Sequence, residues 1–178
     1  MAEAIKKRDY QEWLQFCEQI QNSTGVNFSE SENEKKARIK RALKDYNFFV
    51  RTYFSSLVDC DCADFQVEAA NWVLKSNGSV LGVLEWAREH AKSVHANVFI
   101  PMWLIANKLF TGMILMGKNS TDACNLLSDI QAQLQHNQLF AHDFGTQYNH
   151  GDWQDGRFVS KEGFLFMAIG RDQSPRGA

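Results

Sequence analysis

The chain has 178 residues, with 19 Lys plus Arg against 21 Asp plus Glu and a formal net charge of −2. That length suits a domain with a real core, and the near-neutral charge excludes a histone-like polycation while leaving room for a local basic lining that grips phosphates. Hydrophobic residues make up 44% and charged residues 22%, which argues against disorder.

The charged start, Met1 to Tyr10, has no apolar h-region, so no signal peptide is expected. No apolar run approaches the roughly 20 residues of a membrane span, and the longest, Val98 to Ala106, is interrupted by Pro101. Cys17, Cys60, Cys62 and Cys124 therefore read as reduced thiols in a cytoplasmic setting. Cys60 and Cys62 are too close for an ordinary disulfide and lack the second pair of a zinc site. His136, His142, His150, Asp143 and Asp152 fit no metal spacing.

Residues 4–22 have helical spacing, with an apolar stripe through Ile5, Trp13, Leu14, Phe16, Cys17 and Ile20. A polar loop follows from Asn22 to Asn33. Glu34 to Leu57 resumes helical periodicity, and its early cations (Lys35, Lys36, Arg38, Lys40, Arg41, Lys44) read as a solvated face ahead of a nucleic-acid contact. Asp64 to Lys75 predicts another helix, with Phe65, Ala69, Trp72 and Val73 turned inward. Trp13, Phe48, Phe49 and Phe54 read with Trp72 as packing aromatics rather than base-stacking platforms.

After Asn77-Gly78 the character changes. Val80 to Leu84 predicts a short buried strand, Ala87 to Lys92 a loop, and Ser93 to Leu109 a helix that is apolar nearly all round. Pro101 predicts a kink there, because it has no N–H for the Asn97 carbonyl. Gly112 to Met116 predicts a second buried strand. Asn119, Ser120 and Thr121 offer N-caps for the helix striped by Ala123, Leu126, Leu127, Ile130 and Leu134. Phe140 to Phe144, Arg157 to Ser160 and Phe164 to Ile169 predict strands. Alternating strands and helices imply an α/β fold with a parallel sheet flanked by helices. A helical segment (1–60) would precede the sheet-bearing part (61–178).

Two stretches compete as a phosphate loop. Gly112 to Asn119 matches G-x4-G-K by letter, but Met113 to Met116 demands burial as a strand, and Asn119 replaces the Ser/Thr that binds Mg²⁺. Glu85-Trp86-Ala87-Arg88-Glu89-His90-Ala91-Lys92-Ser93 is worse by letter and better by context, lying between a predicted strand and a helix start with the Lys-Ser pair intact. There Lys92 would reach the β- and γ-phosphates, Ser93 would ligate Mg²⁺, and Arg88 would add a planar cation. Ala91, standing for the usual glycine, is tolerable in a phosphate loop only if it keeps a negative φ. Spacing alone leaves a phosphate loop and a plain surface loop equally open.

Residues Val83 to His95 resemble the deviant Walker A of phage terminase large subunits, in which the first glycine is commonly lost and forms such as R-x-H-A-K-S recur. Met113 to Ala123 resembles that family's second strand and helix start. Phe164 to Ile169 with Gly170, Arg171, Ser174, Arg176 and Gly177 resembles the strand and arginine–glycine turn before Walker B. Gln66, beside Phe65, falls where the family has an adenine-side motif.

The resemblance implies a P-loop ATPase of the additional-strand class that uses ATP and Mg²⁺ to pump double-stranded DNA into a procapsid. The ATP-binding residues would be Arg88, Glu89, His90, Ala91, Lys92, Ser93 and Gln66, with Ser93 on the metal. Arg171 or Arg176 would be an arginine finger or DNA contact. The implied partners are DNA, a portal protein and a small terminase subunit, in a ring oligomer in the host cytoplasm, without a membrane. The Walker B carboxylates and nuclease domain would follow after Ala178, so this stretch is expected to bind nucleotide and hydrolyse it poorly. A non-catalytic fragment that binds DNA or a partner is the alternative.

Overall fold

The computed structural model describes residues 10–76 and 78–171. Ile5, Asn77 and Arg176, and the turn after Arg171, lie outside the described residues. The fold is α/β. Helices α1 (Tyr10–Ser23), α2 (Glu32–Ala42), α3 (Tyr46–Tyr53) and α4 (Asp64–Lys75) precede a helical run of three pieces: α5 (Lys92–Val94), a π-turn (His95–Phe99) and α6 (Ile100–Ala106). Strand β1 (Gly112–Gly117), helices α7 (Ser120–His136) and α8 (Gln138–Phe144), and strands β2 (Trp153–Gln154), β3 (Arg157–Val159) and β4 (Leu165–Gly170) follow.

The sheet order is β1-β4-β3-β2. β1 runs parallel to β4, with Met113 opposite Phe166 and Leu115 opposite Ala168, whereas the β3–β4 and β2–β3 pairs are antiparallel. The sheet is therefore mixed, not wholly parallel. β2 and β3 form a tight hairpin, which only antiparallel strands can do, and the helical crossover through α7 joins the one parallel pair.

Three expected elements fold differently. Glu34 to Leu57 is two helices, because the Asp45 side chain accepts the Phe48 N–H and starts α3 afresh. Phe140 to Phe144 is helix α8: Asn137 caps it by accepting the Phe140 N–H, and Phe140 and Phe144, four residues apart, pack together against Phe49 and Tyr53 of α3. Val80 to Leu84 joins no strand and is not buried; Leu81 is 96% exposed and Val83 77%. This segment runs against α4, where a Cβ at Gly82 would meet the Trp72 indole at 2.3 Å, so only glycine permits that contact. In α4 itself Ala70 is the buried residue, while Phe65 and Trp72 are partly exposed.

One apolar core joins α3 (Phe49, Val50, Tyr53), α6 (Met102, Trp103), α7 (Leu127, Ile130) and the sheet (Phe158, Phe166). Phe110 stacks on Phe166, which stacks on Phe158. The kink expected at Pro101 appears one turn earlier as the π-turn, in which the Ile100 N–H reaches the His95 carbonyl. Of the six early cations, Lys36, Lys40, Arg41 and Lys44 are exposed as a solvated face, and three make contacts. Arg38 grips Asp143, Lys35 donates to the His142 carbonyl, and Arg41 lies over the Phe48 ring.

Candidate anion-binding loop

Trp86 to Val94 form one open cleft of about 470 Å³, which gathers Arg88, Glu89, His90, Ala91, Lys92 and Ser93. Two of these residues, Glu89 (φ 67°) and Ala91 (φ 53°), are left-handed. Such a conformation crowds Cβ against the following carbonyl oxygen and is unfavourable for any residue but glycine. The condition that Ala91 keep a negative φ is not met, which counts against the loop as an unstrained phosphate cradle: before Lys92-Ser93 the backbone adopts the glycine conformation with an alanine in it. Non-glycine residues held this way occur mainly where the surrounding structure over-determines the backbone, often at ligand sites.

Helix α5 begins at Lys92 with no side-chain cap, because Ala91 has no acceptor to offer. Its first-turn N–H groups point out of the helix end unsatisfied by any side chain, and the helix dipole places partial positive charge there. Arg88 and Lys92 add two full positive charges, and among the described residues neither enters an ion pair. Arg38, Arg51 and Arg157 all do. Cations beside a helix N-terminus repel the dipole, so the arrangement is electrostatically unfavourable until an anion arrives. Lys92 and Ser93 are exposed and able to meet one.

The loop is braced from both ends. At its start Trp86 meets the buried His95 ring edge to face at 5.8 Å, and the Tyr46 hydroxyl lies 2.8 Å from His95 Nδ1. Burial pushes the His95 imidazole down to about 4, and burial likewise holds the Tyr46 phenol well above its usual range. Both groups are therefore neutral near pH 7 and share one hydrogen bond, whose direction follows from which imidazole nitrogen carries the proton. In the middle of the loop, Phe65 packs edge-on against Trp86 at 5.2 Å and against His90 at 5.5 Å. The Gln66 amide donates to the His90 carbonyl at 3.0 Å. Sequence reasoning missed Tyr46 and His95, because a buried imidazole inside an apolar helix looks like any core residue; the π-turn that carries it has no sequence signature beyond the nearby proline.

Arg171, at the end of β4, does not line this cleft; its N–H donates to the Gly117 carbonyl. Gly112 to Gly117 is strand β1, so the letter match to G-x4-G-K is a strand. Gly117 and Lys118 line an open depression of about 570 Å³ at the start of α7, where Asp122 and Asp129 set two carboxylates against the one cation and Asn119 already caps the helix by accepting the Asp122 N–H. A second groove of about 470 Å³, between α1 and α7, is lined by Tyr10, Trp13, Asn125, Ser128, Gln131 and Gln135. It contains no cation, and Gln131 and Gln135 are already bonded to Gln154 and Trp153.

Among the described residues no three His, Cys, Asp or Glu side chains gather as a metal cage, and no helix is long and apolar enough to cross a membrane. His142 and Asp143 are instead bonded to each other beside Arg38. The fold and site together define a mixed α/β protein with a strained, cationic loop at an uncapped helix start. No family model, curated protein or solved structure matches the chain.

Proposed function

We propose that Trp86 to Val94 binds the triphosphate of a nucleotide, ATP with Mg²⁺. The observation that carries this reading is the uncapped N-terminus of α5 with Arg88 and Lys92 beside it, neither of which enters an ion pair among the described residues. Bound phosphate oxygens would accept the first-turn N–H groups and neutralise both cations. Lys92 would contact the terminal phosphates as a point charge, Arg88 would meet phosphate oxygens through its planar fork, and the Ser93 hydroxyl would ligate Mg²⁺. Mg²⁺ supplies charge neutralisation across the phosphates when bound. In such sites Mg²⁺ is also held through one or two carboxylates, so Ser93 would be one ligand among waters and phosphate oxygens, and the main carboxylate anchor is missing from this loop.

The wider reading is the ATP-binding part of a DNA-packaging terminase large subunit, a P-loop ATPase of the additional-strand class that acts on double-stranded DNA. The likeness of residues 83–95, 113–123 and 164–177 to that family supports it. A portal protein, a small terminase subunit and a ring of copies in the host cytoplasm are the partners and setting this reading carries.

Titration of a fluorescent ATP analogue into the chain with Mg²⁺ tests the nucleotide reading. Lys92→Ala is expected to weaken binding roughly 10- to 100-fold, the worth of one charge-assisted hydrogen bond. Equal affinities for wild type and variant overturn it. Salt-dependent DNA binding that is indifferent to ATP and to Lys92 would favour the non-catalytic DNA-binding fragment instead.

A further inference from the structure

We infer that Gln66 is a positioning residue for the phosphate loop: its amide pins the backbone between two left-handed residues and does not read the base. The inference rests on the nucleotide reading of the loop. Glu89 and Ala91 both have positive φ, and the residue between them is His90. The His90 carbonyl is the atom to which Gln66 Nε2 donates, at 3.0 Å. A single hydrogen bond there restrains the peptide units on either side, which are the ones holding the two unfavourable conformations.

The orientation of the amide is fixed by its partners. Gln66 Oε1 accepts the Ala63 N–H at 2.9 Å, so the oxygen faces the start of α4 and the nitrogen faces the loop. A flipped amide would set donor against donor and acceptor against acceptor. Both ends of the side chain are thus committed to backbone, which leaves no complete donor–acceptor face with which to read an adenine edge.

Two other contacts serve the same restraint. The His90 Nδ1 lies 3.0 Å from the Arg88 carbonyl, an oxygen that only accepts, so the ring carries its proton on Nδ1. Phe65, the neighbour of Gln66 in the first turn of α4, holds the His90 ring edge-on. The start of α4 is itself tied to α3, where Asn47 Oδ1 accepts the Cys62 N–H at 2.8 Å. A loop already set in its binding geometry loses less entropy when the anion arrives, so the brace appears as affinity.

The roles open to Gln66 separate cleanly in one experiment. Wild type, Gln66→Met and Gln66→Glu are titrated with the Mg²⁺ complexes of ATP, GTP and inorganic tripolyphosphate, and each is melted thermally. Met removes both amide bonds without adding charge. Glu keeps an acceptor for the Ala63 N–H, and with it the α4 cap, but sets a second acceptor against the His90 carbonyl and adds a negative charge beside the anion site, so Gln66→Met is the variant that reads the bond itself. Gln66→Met is expected to weaken all three ligands by a similar factor, roughly 3- to 10-fold for one neutral hydrogen bond, and Gln66→Glu to weaken all three further, because its charge also opposes the anion. A loss confined to ATP, with tripolyphosphate unchanged, would make Gln66 a base reader and overturn the inference. Unchanged affinity for every ligand would reduce Gln66 to a helix cap and overturn it equally. Failure of the wild type to bind any of the three would sink the phosphate-loop reading, and this inference with it. That result is distinct from a wild type that binds and variants that match it.

Discussion

At Ala91 a methyl group occupies a backbone conformation built for hydrogen. The left-handed region is unfavourable for alanine by about 1 kcal/mol relative to glycine, and nothing in the exposed loop compensates with buried apolar contact. Ala91→Gly is therefore expected to raise the melting temperature by roughly 2–4 °C in a chain of this length, with nucleotide affinity retained. A variant that melts at or below wild type would show that the alanine is not strained there. The Lys92-Ser93 pair could be read from the sequence because its chemistry is local and its side chains carry it. The sign of φ at Ala91 could not, because it depends on Gln66, 25 positions earlier in the chain, and on the His90 carbonyl between. Arg88 was legible as a cation, but its lack of an ion-pair partner is a property of the folded surface.

Between helices, the main polar tie is the Asp143 carboxylate of α8. Its side chain is fully buried, Arg38 of α2 grips both its oxygens at 2.8 and 2.9 Å, and the Tyr53 hydroxyl of α3 donates to it at 2.7 Å. Glu30 closes the cluster on the far side of Arg38. Burial alone would raise the Asp143 pKa; the bonds from Arg38 and Tyr53, with the Arg38 charge, outweigh it and hold the group below its ordinary value. A carboxylate depressed in the folded state contributes stability that is complete above its unfolded pKa, near 3.9, and is lost as pH falls through the lower folded value. Asp143→Asn leaves Arg38 without its main partner and is expected to destabilise the fold by roughly 3 kcal/mol at neutral pH. Urea unfolding should show that gap narrowing below about pH 4, as the wild-type carboxylate protonates; a gap of constant size at every pH would place the cost elsewhere. Elements whose signals are local, such as α4, α7 with its Asn119 cap and β4, were legible in the sequence, and so was β1 as a strand, though not as the buried one expected, because it lies at the sheet edge with Ile114 and Met116 exposed. Residues 140–144 were not: phenylalanines four apart satisfy a helix, yet the short apolar run also resembles a strand, and the deciding contacts are with Phe49 and Tyr53.

For the molecule as a whole, the α/β class followed from the alternation of patterns, whereas strand order did not. The β1–β4 pair joins residues about fifty positions apart, and the hairpin that turns the sheet mixed is only two and three residues wide. The same limit explains the misreading of Val80 to Leu84, whose composition suits a strand. Strandhood needs a neighbour, and in the fold this segment has none, so its side chains face solvent. β1 adds to that exposed apolar surface. It lies at the sheet edge, carries no charge from Gly112 to Gly117, and leaves Ile114 60% and Met116 66% exposed. An uncharged, apolar strand that pairs on one side alone among the described residues is a template for pairing with another chain, and natural edges are commonly guarded by lysine or proline. The purified chain is accordingly expected to self-associate, with its average mass in sedimentation rising with concentration. Ile114→Lys, which points a charge off the same edge, should shift that rise to higher concentration. Its melting temperature in dilute solution should stay close to wild type, since exposed substitutions change stability by only about 0.5 kcal/mol. Leu81→Lys separates the two surfaces: if association persists in it and fades in Ile114→Lys, the β1 edge is the contact. A chain that stays monomeric at every concentration would show that both surfaces are adequately guarded as they stand.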